Sequence, residues 1–288
     1  MQLGALVLFK PDTPIATELH APSGWRTVDF ISDLHLQAGE PATFNAWQHY
    51  MATTSADAVF ILGDLFDVWI GDDALGGDIV REAGSPQPGF ERQCAQVLGV
   101  AASRLALFFM HGNRDFLVGQ GTVSPSLPDF CHFTLLDDPC ALTFAGQRWL
   151  LSHGDALCLD DIPYMNFRRQ VRSAAWQQNF LARPLAERQL IARELRQQSR
   201  QQHVHRQQSG APFIDLDRGA ARAWLQAANA PVLIHGHTHQ PALHDLGDGL
   251  QRLVLSDWDA DPKAATPRAE VLRISMATPT APQRISLI

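Results

Sequence analysis

TVDFISDLH, residues 27–35, opens as a β-branched and aromatic run and ends directly in a polar cluster. That is the pattern of a strand buried on both faces whose carboxyl end emerges at a site. The same design returns in AVFILGDLFD (58–67), RLALFFMHGNRD (104–115), RWLLSHGD (148–155) and APVLIHGHTH (230–239). Between the first three lie FNAWQHYMATTS and ERQCAQVLGVAAS, both of helical character. The front half therefore reads as strands joined by crossover helices. Open α/β sheets carry their sites at the carboxyl ends of strands, where loops converge, and all five polar clusters fall there.

Working outward, the stretch from Pro163 to Gln208 breaks the strand rhythm. Its apolar residues recur at helical spacing: Phe167 and Val171, Trp176 and Phe180, then Leu190, Ile191 and Leu195. We read a helical cap inserted at about 162–210, its end QQSRQQHVHRQQSG being a polar helix end or loop. The Gly- and Pro-bearing stretch Ala74 to Gly89 reads as a loop excursion before the second helix. Residues 1–25 read as an N-terminal arm ahead of a domain spanning 26–288.

Charged residues make up 18% of the 288 positions and apolar ones 45%, which excludes wholesale disorder and coiled coil. Cys94, Cys131, Cys140 and Cys158 show no CxxC spacing, so they read as reduced thiols rather than a zinc or disulfide framework. The short apolar run near Met1 is cut off by Lys10, Pro11 and Asp12, so no signal peptide or membrane span is expected, and the cytoplasm is the default location. Net charge is −7, yet Ile162 to Gly210 alone carries nine Arg and two Glu, or +7, leaving −14 on the remainder. A basic insertion on an acidic body faces either something anionic, phosphates or a membrane surface, or plain solvent. The acidic body disfavours nucleic acid as a partner, and nothing in the sequence calls for an obligate protein partner.

The polar clusters suit phosphoester chemistry. A phosphoester resists attack because its oxygens are negative, and two divalent ions clamp those oxygens while supplying a nucleophile from water. Asp33 and His35 lie two residues apart, where a locally extended backbone can aim both at one ion. Asp64 follows Gly63, whose missing side chain leaves room for close approach, and its two oxygens suit it to bridging both ions. Asn113 offers an amide oxygen; His153, His237 and His239 offer imidazoles, a donor mixture suited to Mn, Fe or Zn more than to Ca. Taken singly, DxH or GD is usually a surface pair or a turn. Five clusters in this order, each ending a strand, are a far more specific signal. Trp69, Asp72 and Asp73 either support the ligands or shape a turn.

The ordered set DxH, GD, GNRD, HGD and GHTH resembles the calcineurin-like metallophosphoesterase superfamily, from Asp33 to His239. That resemblance implies an α/β fold, a two-sheet α/β/β/α sandwich around a dimetal site, here with an inserted helical cap. ILGDLFDVWIGDD (61–73), HGNRDFLVG (111–119) and SHGDALCLDD (152–161) are further similar to the UDP-2,3-diacylglucosamine pyrophosphatase family of lipid A synthesis. The resemblance implies cleavage of UDP-2,3-diacylglucosamine to UMP and 2,3-diacylglucosamine 1-phosphate, with two metal ions, normally Mn²⁺, at the cytoplasmic face of the bacterial inner membrane. It implies that Asn113, Arg114 and His237 serve the reaction, Arg114 by neutralising charge in the transition state. It also implies substrate contacts from Asp161, Ser199, His203 and Arg206. Asp161 equally suits an N-cap of the helix near Pro163. His203 and Arg206 stand where the family commonly has Asn and Lys, with a few extra residues before Phe213. The chain before Trp25 and after Asp259 lies outside the shared motifs. Competing expectations are another phosphodiester or nucleotide substrate, or a non-catalytic metal-binding scaffold.

Overall fold

The structure, a computed structural model, describes residues 13–76, 78–79, 87–119, 133–208 and 214–288. In chain order the strands and helices are β1 (Thr17–His20), β2 (Thr27–Ile31), α1 (Pro41–Thr53), β3 (Ala58–Leu62), β4 (Asp78–Ile79), β5 (Gln87–Pro88), α2 (Phe90–Ala102), β6 (Ala106–Met110) and β7 (Thr134–Leu136). They continue as β8 (Cys140–Phe144), β9 (Gln147–Ser152), α3 (Ile162–Val171), α4 (Ala174–Leu181), α5 (Leu185–Gln208), α6 (Arg218–Ala227), β10 (Val232–His235), β11 (Ala242–Gly247), β12 (Leu250–Val254), β13 (Glu270–Ser275) and β14 (Gln283–Ser286).

Two six-stranded sheets result, ordered β1-β8-β9-β10-β12-β11 and β14-β13-β2-β3-β6-β7. The five motif strands sit centrally and in parallel groups: β2, β3 and β6 in one sheet, β9 and β10 in the other. Their carboxyl ends therefore emerge along one rim. The sheets face each other through Val28, Phe30, Phe60, Leu62 and Met110 on one side and Leu142, Trp149, Leu151 and Ile234 on the other. Phe60 stacks on Phe108 at 4.6 Å and on Phe30 at 5.1 Å, so one inner face is an aromatic ladder.

Alternate residues of the same strands point outward and are equally buried. Ile31, Val59, Ile61, Leu107 and Phe109 pack under α1 and α2 with Trp47, Met51, Cys94 and Leu98. Leu150 and Leu233 pack under α6 with Trp224 and Leu225. Layering is thus helix, sheet, sheet, helix, which is why the strands read as unbroken apolar runs. α1 begins at Pro41, where a missing N–H costs nothing. The sequence reading passed over α6, although Asp217 accepts from Ala220 N at 2.7 Å as its N-cap and buried Ala220, Ala221, Trp224 and Leu225 follow at helical spacing.

The stretch read as an arm contributes β1, an edge strand parallel to β8. The stretch read as a cap forms α3, α4 and α5. Half of the Ala74 to Gly89 excursion lies outside the described residues, as does Cys131. Cys94, Cys140 and Cys158 are buried free thiols. Among the described residues no helix is long and apolar enough to cross a membrane.

Candidate active site at the carboxyl ends of the strands

Asp33 lies two residues past β2, Asp64 two past β3, Asn113 three past β6, His153 directly past β9 and His237 two past β10. The backbone that aims them is unusual: Asp33, His35, Asp64, His237 and His239 all adopt positive φ, between 49° and 67°. The locally extended DxH expected from spacing is therefore not what forms; both ligand positions are left-handed. Asp and His tolerate that region better than branched residues, at about 1–3 kcal/mol each, and such strain gathers where side-chain direction matters. Gly63 is needed for space as well as for its φ of +89°, since a Cβ there would lie 2.6 Å from His153 Nδ1.

Two overlapping groups of ligand atoms result, Asp33 with His35 and His239, and Asp33 with Asp64 and His153, the atoms of each within 4.8 Å of one another. In the first, His239 Nε2 stands 3.2 Å from Asp33 Oδ1 and 3.3 Å from His35 Nε2. In the second, His153 Nε2 is 3.8 Å from Asp64 Oδ1. Asn113 Oδ1 joins it, 3.0 Å from His153 Nε2 and 2.9 Å from His237 Nδ1. All seven residues read from the sequence as ligands thus converge on one place.

The convergence suits divalent cations on physical grounds. Asp33 Oδ1 and His35 Nδ1 are buried without a hydrogen-bond partner, a cost that a cation removes. Burial pushes the His35 imidazole down to about 3 and His237 down to about 4, so both are neutral lone-pair donors. Burial also pushes the Asp33 carboxyl up, but His239, His153 and His35 outweigh it and hold Asp33 below the usual range. Asp64 is raised, by burial and by the negative charge of Asp33. His153 is lowered by burial, yet Asp64, Asp33 and Asp155 bring it up to about 9. Carboxylates crowded so closely call for more positive charge than the imidazoles supply.

Residues outside the predicted ligand set hold the loops. Asp115 accepts from Gly112 N at 2.9 Å, Asp64 N at 3.2 Å and Leu65 N at 2.8 Å, tying the loop after β3 to the loop after β6. Arg114 N donates to Asp64 Oδ1 at 2.8 Å. Asp155 accepts from Tyr164 Oη at 2.5 Å and Arg168 Nε at 2.8 Å, which fastens α3 beside His153. Asp115 and Asp155 were visible in GNRD and HGD, but their partners lie too far along the chain for spacing to name them.

Trp69 Nε1 and Gly119 N both donate to Asp72 Oδ1, and Asp73 pairs with buried Arg188 of α5. These residues therefore join loops to the cap. Asp161 accepts from Tyr164 N at 3.2 Å, the N-cap geometry of α3. Ser199, His203 and Arg206 fall on α5, with side chains outside the described residues. Arg168 is held by Asp155, and Arg172 donates to Gly112 O at 2.8 Å, so part of the cap's positive charge is engaged at its own base. Phe180 is buried; Phe167, Trp176 and Ile191 pack against the helix-side core, while Leu190 stays 58% exposed.

Fold and site together define a calcineurin-like phosphoesterase, and the sequence model of that family matches residues 26–241. The UDP-2,3-diacylglucosamine hydrolase of Chromobacterium violaceum is 44% identical over 239 residues, 80% of this chain and 90% of that one. The hydrolase of the same name from Ralstonia nicotianae is 40% identical over 282 residues, 94% and 97% of the two chains. That of Chromohalobacter salexigens is 39% identical over 238 residues, 81% and 89% of the two. The chain belongs to this hydrolase family within the calcineurin-like phosphoesterases, and it is a metal-dependent hydrolase.

Proposed function

We propose that the protein hydrolyses the pyrophosphate of UDP-2,3-diacylglucosamine to UMP and 2,3-diacylglucosamine 1-phosphate, using two Mn²⁺ ions. The observation that carries the reading is the convergence of seven ligand-type side chains around the shared carboxylate of Asp33, beneath a helical cap fastened to the same loops. The substrate comes from relatives of that name which this chain matches over most of both lengths.

Asp33, His35 and His239 would hold one ion, Asn113, His153 and His237 the other, with Asp64 between them. Bound there, the two ions would draw charge from the phosphoryl oxygens and make water a nucleophile at neutral pH. Arg114, its main chain fixed on Asp64, would set its planar fork against the phosphates and against charge developing on them. His237, neutral and with its ring 5.8 Å from that of Tyr164, would lie beside the leaving group. Asp161, Ser199, His203 and Arg206 would touch substrate from the cap. The acyl chains need apolar cover at about 0.8 kcal/mol per buried methylene, which the cap's exposed Leu190 and half-buried Trp176 would begin to provide. Arginines of the cap would meet anionic headgroups at the cytoplasmic face of the inner membrane, a peripheral contact.

The test is incubation of the purified protein with Mn²⁺ and UDP-2,3-diacylglucosamine, with a chelator control, reading UMP and the lipid monophosphate by mass spectrometry. Metal-dependent appearance of both supports the reading. Turnover of a generic phosphodiester without these products would keep the dimetal hydrolase and discard the lipid substrate.

A further inference from the structure

The chain beyond residue 241 lies outside the match to the calcineurin-like phosphoesterases, and its part after Asp259 lies outside the motifs read from the sequence. It nonetheless returns to the site. Just past β12, Trp258 N donates to Asp33 O at 3.1 Å, which seats the segment SDWD against the loop carrying Asp33 and His35. The side chain before it, Asp257, is 14% exposed and brings its Oδ2 to 3.6 Å from His239 Nδ1. From the other side Arg268 Nη2 donates to Asp257 Oδ2 at 2.7 Å and lies 2.6 Å from Oδ1. A pair of backbone hydrogen bonds between Asp259 and Arg268, each 2.8 Å, closes the loop that presents both residues.

The two nitrogens of His239 therefore face different things. Nε2 faces Asp33 Oδ1 and His35 Nε2, the interior of the first ligand group. Nδ1 faces a carboxylate. An imidazole that offers the Nε2 lone pair to a cation carries its proton on Nδ1, and an acceptor there fixes the tautomer, turns the ring and raises the basicity of the ligating nitrogen. At 3.6 Å the contact is electrostatic rather than a direct hydrogen bond, and the field of a carboxylate still favours the Nδ1–H form. His239 needs such a setting because it is the most exposed of the ligand histidines for which an ion pair is seen, at 38% of its side chain against 20% for His35 and none for His153.

We propose that Asp257, braced by Arg268, is a positioning residue for His239 and so sets the affinity of the cation held by Asp33, His35 and His239. The inference rests on the dimetal reading above. It also gives the chain after residue 241 a share in building the centre.

The experiment strips the protein of metal and titrates it with Mn²⁺ by calorimetry, without substrate, followed by Co²⁺ with its visible absorption as a second readout. The wild-type protein is expected to bind two ions. Asp257→Ala should weaken one site by about 10- to 100-fold and leave the other unchanged, with an altered Co²⁺ band. Asp257→Asn, which keeps the size, should lose about 10-fold, and Asp257→Glu should recover part of the affinity. A merely structural role would lower the melting temperature without moving either dissociation constant. Two unchanged constants in both the Ala and Asn variants, with two ions bound by the wild type, overturn the inference and leave the dimetal reading standing. Failure of the wild type to bind two ions overturns both.

Discussion

Asp64 combines a left-handed backbone, complete burial and a neighbouring carboxylate, and each of these works against folding. Its carboxyl is raised by burial and by Asp33, so at neutral pH the ionised group costs stability in the absence of cations. Asp64→Ala is expected to lose bound metal and turnover together, read by elemental analysis and product formation; full activity with two bound ions would remove its bridging role. In chelator, Asp64→Asn should melt no lower than the wild type, because the charge it removes serves the site and not the fold. Arg114 differs, since its side chain meets charge that appears during reaction. Arg114→Ala is expected to lower kcat by about 10²- to 10³-fold with a smaller change in KM, and an effect on KM alone would assign it to ground-state binding. The identities of these residues were legible because each ends an apolar run. Their left-handed backbones were not, because φ at Asp33 or His237 is imposed by the neighbouring loop and leaves no mark in the spacing.

At the scale of elements, the cap is held both by apolar packing of Val171, Phe180 and Ala192 on the helix-side core and by a few ionic contacts. Tyr164 and Arg168 of α3 close on Asp155, Arg188 and Arg196 of α5 close on Asp73 and Asp67, and Phe116 meets Trp176 with ring centroids 6.1 Å apart. Burial pushes the Asp155 carboxyl up, but Arg168 and Arg172 outweigh it and hold it below its ordinary 3.8. A carboxyl depressed in the folded state contributes stability that is full above the unfolded value and fades as pH falls toward the folded one. Asp155→Asn is therefore expected to cost about 1.5–3 kcal/mol at pH 7, measured in chelator by urea unfolding, because it removes a charge-assisted bond from the half-buried Arg168. The gap between variant and wild type should hold down to about pH 4 and narrow below it; a gap that closes between pH 7 and 5 would contradict the assignment. The helical character of the cap was readable from Phe167, Trp176 and Phe180. Which arginines face inward was not, since Arg168 and Arg169 are adjacent in sequence and only packing against the loop after β9 decides that Arg168 meets Asp155. α6 was missed for the opposite reason: its N-cap and periodicity are present, but it falls between the cap and β10, where the strand motifs dominate the pattern.

At the scale of the whole molecule, both sheets and the C-terminal loop meet at one rim, and five left-handed residues and a crowd of carboxylates are held there. Such a centre is a weak point of the fold until cations occupy it. Ions that bind the folded chain and not the unfolded one stabilise it by mass action, by about 2.7 kcal/mol per site at a free concentration of roughly 100 Kd. For a domain of this size that corresponds to a rise in melting temperature of roughly 5–10 °C. Stripping metal with a chelator should lower Tm by that amount, and adding Mn²⁺ should restore it in proportion to the logarithm of its concentration. Asp64→Ala should show a much smaller response, because the carboxylate proposed to lie between the two ions is gone. A Tm that ignores both chelator and Mn²⁺ in the wild type would mean that the converging side chains satisfy one another through protons and hydrogen bonds alone. The high value of about 9 for His153 would then describe the working protein, with His153 charged between Asp64 and Asp33 where the ion was expected.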